Sequence, residues 1–216
     1  MSEKKTLKVL AYDEIRRRIL SCDYAPGTML NEELLQEDLH VSRTPIRDAL
    51  GRLEQEGLIK ILPKRGILVA DLTLEDIEMV YEVRCMYEPY AILHYGSNIS
   101  LDDLFKFKAA FSDDRVVRDE QLSYYYDDSF HAAVMAASPN RYLLQSYDLI
   151  LSINRRFRVI SGRTIPDRLR NSANEHIKII DALLAGDLPL AASMMTSHLS
   201  TSREATLFLC KNRSRE

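Results

Sequence analysis

Residues 42–66, SRTPIRDALGRLEQEGLIKILPKRG, constrain this chain most: a short amphipathic helix runs directly into a basic β-turn. Ser42 is a helix N-cap residue whose hydroxyl can accept from a free amide of the first turn. Pro45 falls within that turn, where its missing N–H has no intrahelical partner to lose. Ile46, Ala49, Leu50 and Leu53 recur at helical spacing and form one apolar stripe. Arg43, Thr44 and Arg47 lie off the stripe at the exposed N-terminal end. An arginine fork matches the two major-groove acceptors of guanine, and a threonine or a free helix N-terminus can hold a phosphate. A solvated surface helix would carry similar charges, so the elements around it decide the reading.

Gly57 is placed to end this helix as a C′ residue. Residues 58–62 and 67–70 are short β-branched and leucine runs, with Pro63-Lys64-Arg65-Gly66 as the turn between them. Upstream, Leu30, Leu34, Leu35 and Leu39 predict a helix over 31–39, joined to the next by the tight link His40-Val41-Ser42. Val9, Ile15, Ile19 and Leu20 predict a first helix near 6–21, stopped by Ala25-Pro26-Gly27. The order helix, helix, helix, hairpin is that of a winged helix-turn-helix. Charge agrees locally. Residues 1–72 are neutral, with 12 Lys+Arg and 12 Asp+Glu, whereas 42–66 carry six basic groups against three acidic ones. The remaining 144 residues, with 17 basic and 20 acidic groups, are not expected to touch nucleic acid.

The run APGTMLNEELLQEDLHVSRTPIRDALGRLEQEGLI…PKRGILV resembles the N-terminal domain of the GntR superfamily of bacterial transcription regulators. The resemblance implies that Arg43, Thr44 and Arg47 enter the major groove of operator DNA, with Ser42 at the helix start. It also implies that Arg65 and Gly66 approach the minor groove from the wing, and Lys64 beside them is a further DNA-binding candidate. Where some relatives carry a guanine-reading arginine on the second helix, this chain has Glu33, so their operator is not transferred to it.

From Thr73 onward the apolar spacing is helical along 74–95, 101–111, 121–137, 141–160, 172–185 and 188–209. Thr73 with Asp76, and Ser100 with Asp103, are capping-box-like starts, and Pro89 is expected to kink the first helix. The overall expectation is a mainly α chain: a winged domain of three helices and a hairpin over 1–72, then an all-α antiparallel bundle of about six helices over 73–216. No apolar run is long enough to span a membrane and no signal-peptide core follows Lys4-Lys5. Cys22, Cys85 and Cys210 form neither a disulfide framework nor a zinc knuckle, which fits a cytoplasmic protein.

The histidines carry the second signal. Asp127 and His131, in DDSFH, share a helix face at i, i+4. His176 and His198 sit about equally far from Gly186-Asp187 on successive helices, so antiparallel packing brings them to similar height. One aspartate and three imidazoles suit a divalent ion such as Zn²⁺, Ni²⁺, Mn²⁺ or Fe²⁺. His40 and His94 read as structural. The segments VRCMYEPYAILHYG, YDDSFHAAVMAASPN and NEHIKIIDALLAGDLPLAASMMTSHL resemble the FCD effector domain of one large GntR branch. That resemblance implies that Asp127, His131, His176 and His198 bind the metal, and that a small organic acid completes its coordination. It also implies a homodimer on an inverted-repeat operator, most often as a repressor.

A carboxylate needs a cationic clamp, and Arg84 is the first candidate, followed by Arg155 among Arg155, Arg156 and Arg158. Arg84 could instead form a surface salt bridge with Glu88 at i, i+4. Two other readings stay open here. A metal-dependent enzyme lacks a well-placed general base, Glu175 lying about 100° round the helix from His176. A structural metal would close a tetrahedral site and sense nothing.

Overall fold

The computed structural model describes residues 6–165 and 167–213, and the chain divides into two compact units, Met1–Leu72 and Thr73–Glu216. In the first unit, α1 (Leu7–Leu20), α2 (Glu32–Leu39) and α3 (Arg43–Gln55) pack around Ile15, Ile19, Leu35, Ile46, Leu50 and Leu53. Asn31 caps α2 by accepting from the Glu33 amide at 2.8 Å. His40, in the left-handed region at φ 52°, turns the chain from α2 toward α3. Ser42 is the N-cap of α3, yet its hydroxyl makes no capping hydrogen bond.

Gly57 (φ +70°) ends α3 as expected. Its amide bonds to the Glu54 carbonyl, and that of Leu58 reaches back to Leu53, which is the Schellman arrangement. The wing is β2 (Ile59–Leu62) and β3 (Gly66–Val69), antiparallel, with Lys64 (φ 62°) at its tip. A third strand, β1 (Met29–Leu30), pairs with the other side of β3, giving the order β1-β3-β2 where two strands were expected. On the outer side of β2, the Ile61 amide donates to Glu54 Oε1 of α3 at 2.7 Å.

The second unit comprises α4 (Leu74–Tyr95), a 3₁₀ turn at Gly96–Asn98, α5 (Leu101–Ser112), α6 (Asp114–Arg118), α7 (Glu120–Ala136), α8 (Arg141–Thr164), α9 (Arg168–Leu184) and α10 (Leu188–Arg213). Among the described residues seven helices thus stand where about six were expected, the addition being the five-residue α6. Thr73 and Asp76 form a full capping box at the start of α4. The helix then runs from Leu74 to Tyr95 through Pro89 as one element. Likewise α8 continues through Ser161-Gly162, where a break was expected. The long α10 packs on α4 and α9, α5 on α9, and α7 on α4 and α8. Ile77, Val80, Tyr81, Phe130, Val134, Ile179, Ile180, Met195 and Leu199 fill the space between them. No helix of the described residues is long and apolar enough to cross a membrane.

Candidate metal centre and nucleic-acid interface

Asp127 and His131 face inward from consecutive turns of α7, His176 from α9 and His198 from α10; all four are buried. Each offers one ligand atom, and the four atoms lie within 4.8 Å of one another. His176 Nε2 is 3.3 Å from His131 Nε2 and 3.4 Å from Asp127 Oδ1. Two donors held roughly 2.0–2.1 Å from one ion at a near-tetrahedral angle stand about that far apart. Two imidazole lone pairs facing each other at such a distance repel unless a cation or a proton lies between them. Burial, and next the neighbouring imidazole (His198 for His176, His131 for His198), push His176 and His198 well below the ordinary histidine value. Both rings are therefore neutral near pH 7, the form that ligates. The donor set and its spacing fit a divalent ion.

A second layer of charge surrounds these rings. The His131 Nδ1–H donates to Glu88 Oε2 at 2.5 Å, while Glu88 Oε1 accepts from Arg84 Nε at 2.6 Å and from the Tyr147 hydroxyl. Burial acts to raise the Glu88 carboxyl, but the Arg84 guanidinium and His131 outweigh it and hold it far below the usual carboxylate range. Glu88 is thus an anion, the proton sits on His131 Nδ1, and the Arg84 Nη2 atom 3.2 Å away is a close neighbour rather than a donor to that nitrogen. The His198 Nδ1–H similarly donates to Glu175 Oε2 at 2.6 Å, with Arg168 Nη1 3.7 Å from the same oxygen. Burial raises the Glu175 carboxyl, and Arg168 opposes that rise. His176 differs. Its buried Nδ1 has no hydrogen-bond partner among the described residues, and its ring stacks on Phe111 with centroids 4.6 Å apart.

Beside the four donors lies a cavity of about 30 Å³, room for roughly two waters or a few heavy atoms. Asp127 and His176 line it, together with Arg168, Ser123, Tyr124, Ser172 and Ser202. Arg168 is nearly buried; its Nη2 donates to Ser202 Oγ at 2.6 Å and its Nη1 has no hydrogen-bond partner among the described residues. The two arginines expected as clamps lie elsewhere. Arg84 is fully buried on Glu88, and Arg155 of α8 pairs with Asp128; neither lines the cavity. Arg156 is buried, and the Arg158 side chain lies outside the described residues. His94 is exposed and its ring lies tilted against Tyr90, with centroids 4.3 Å apart.

On the winged unit, Ser42, Arg43, Thr44 and Arg47 are exposed at the N-terminal end of α3, and Lys64 and Arg65 at the wing tip, beside the half-buried Gly66. Glu32 of α2 accepts from Arg47 Nε at 2.9 Å and lies 3.3 Å from Arg43 Nε. Sequence reasoning did not identify Glu32, because its partners sit on the next helix.

Residues 7–69 match the family of bacterial regulatory proteins called gntR, and residues 78–201, more than half of the chain, match the FCD domain family. The chain is a GntR-family transcription regulator of the FCD branch. It is 29% identical over 171 residues to the gluconate operon transcriptional repressor of Bacillus licheniformis, covering 78% of this chain and 69% of that one. A regulator from Agrobacterium vitis is 41% identical over 78 residues, and there the match spans only 46% of the relative's length. A GntR transcriptional regulator of known structure from Rhodococcus superposes with a TM-score of 0.80 at 21% identity, over 93% of this chain and 97% of that one. A zinc-bound FCD domain of a further regulator superposes at 0.55 and 20% identity, covering 68% of this chain and all of that one. Regulators of this family bind DNA through the helix-turn-helix and are not enzymes, which sets aside the catalytic reading of the buried histidines.

Proposed function

We propose that the protein is a metabolite-responsive repressor that acts in the cytoplasm. As a homodimer it places two α3 helices in successive major grooves of an inverted-repeat operator. Arg43, Thr44 and Arg47, at the helix start marked by Ser42, read base edges and phosphates, and Lys64, Arg65 and Gly66 bring the wing to the flanking backbone.

The effector in this reading is a small organic acid held in the cavity beside Asp127 and His176. A bound divalent ion, held by Asp127, His131, His176 and His198, supplies a Lewis-acidic point where a carboxylate oxygen completes the coordination. Arg168 grips the carboxylate with Nη1, which makes no hydrogen bond among the described residues and lies 3.7 Å from Glu175, in place of Arg84 and Arg155, whose guanidinia are engaged by Glu88 and Asp128. Ser123, Ser172 and Ser202 line the same wall, which suits an acid that itself carries hydroxyls; the Bacillus licheniformis relative is named for a gluconate operon. The cavity volume favours one of few carbons. The observation that carries this reading is that two of the four donors and an incompletely bonded arginine share one cavity wall. An effector bound there shifts operator affinity only as far as it prefers one of two conformations of the protein.

The test combines metal analysis of the wild type and His176→Ala with operator binding across short hydroxy acids. Metal in the wild type alone, with one acid weakening operator binding at least tenfold, supports the sensor. A second reading, a purely structural ion, draws on the same four donors, which suffice to close a tetrahedral site. It predicts bound metal with no acid changing operator affinity.

A further inference from the structure

The three imidazoles of the centre are not held alike. His131 rests on Glu88, which is fully buried and itself tied to Arg84 and Tyr147. His198 rests on Glu175, which faces Arg168. Each of these rings is thus the end of an arginine–glutamate–histidine chain, and the two chains run in from different sides of the bundle, α4 and α9. His176 has no such support: its Nδ1 bonds to nothing among the described residues, and its ring packs against Phe111 and Phe130. The three imidazoles so divide into a braced pair, His131 and His198, and His176, which lacks such a brace and lines the cavity beside Asp127.

We propose that Glu88 and Glu175 are positioning residues for the metal: each fixes the proton of its histidine on Nδ1 and so presents Nε2 to the ion. This rests on the metal reading of the cluster and on none of the effector reading. An imidazole whose Nδ1–H is donated to a carboxylate has one tautomer, one ring rotation and a more basic Nε2. A ring without that acceptor samples both tautomers and is a weaker ligand. The braced pair therefore fixes the position of the ion. If Glu88 and Glu175 served only to neutralise Arg84 and Arg168, neither would need to direct an oxygen at an imidazole.

Glu88→Gln and Glu175→Gln, made singly in the full chain, keep the shape and remove the anionic acceptor. Zn²⁺ affinity is measured by competition with a chromophoric chelator, and Co²⁺ loading gives the absorption bands that report ligand geometry. Each variant is expected to bind Zn²⁺ roughly 10- to 100-fold more weakly and to alter the Co²⁺ spectrum, while the metal-free protein keeps its helical circular dichroism. Glu175→Asp is expected to recover part of the loss. Glu88→Gln strands Arg84 in the core; should it fail to fold, the more exposed Glu175 carries the test. Folded variants with wild-type Zn²⁺ affinity and an unchanged Co²⁺ spectrum overturn the positioning role and leave the metal reading standing. Wild-type protein that takes up neither ion overturns both.

Discussion

Arg47 and Arg43 are exposed, and without DNA both guanidinia lie against the Glu32 carboxylate. Such a pair in solvent contributes little stability, so its release to a guanine edge costs little. Arg47→Ala is expected to weaken operator binding by about 1–3 kcal/mol and to relax the base preference at one position. Arg65→Ala at the wing tip should weaken all sequences alike and lower the salt dependence by about one counterion. Fluorescence anisotropy against operator and scrambled duplexes at several salt concentrations separates the two. At this scale the candidate metal centre was half legible. Asp127 and His131 announce themselves by i, i+4 spacing, and His176 and His198 by equal distance from a turn. Glu175 and Arg168 meet partners 23 and 34 residues away on α10, and no local pattern reports such a meeting. Arg84 shows why a clamp is hard to read from sequence: the spacing that suggested a surface pair with Glu88 produced a fully buried one.

Among the elements, the long amphipathic helices and the wing hairpin were readable from period and turn chemistry, and the short pieces were not. β1 is two residues long, too short to alternate, and exists because Met29 and Leu30 lie against β3. α6 spans only Asp114–Arg118, capped by Asp113. The close fit of β1 makes Gly66 a structural position as well as a wing-tip one. Its φ is +114°, and a Cβ there would stand 2.9 Å from the Leu30 carbonyl oxygen, a backbone atom with little freedom to retreat. Gly66→Ala is expected to destabilise the winged unit by roughly 1–3 kcal/mol, read as a lower urea midpoint, and to weaken operator binding through a displaced wing.

For the molecule as a whole, the proposed metal site sets metal and protons in competition for the same buried rings. A ligand that binds only the folded state raises stability by mass action, so chelation should lower the melting temperature. In the metal-free protein, His176 and His198 stay neutral when folded but take up protons near 6.5, the ordinary value, once unfolded. The unfolded chain then binds more protons, so stability is full above that pH and falls below it. Each ring contributes up to about 1.4 kcal/mol per pH unit. Urea midpoints of metal-stripped protein at pH 7.5 and 5.5 should diverge, and replacing both histidines by Gln should narrow the gap.

The three-stranded sheet has one more consequence. A sheet with β3 in the middle leaves two free borders, where another chain could add by hydrogen bonding. One border is β1, only two residues long. Along the other, the Ile61 amide already donates to Glu54, Lys60 places a charge, and Pro63 follows directly after the strand. The wing can therefore present backbone and cations to a duplex without offering a long open strand edge to a second chain.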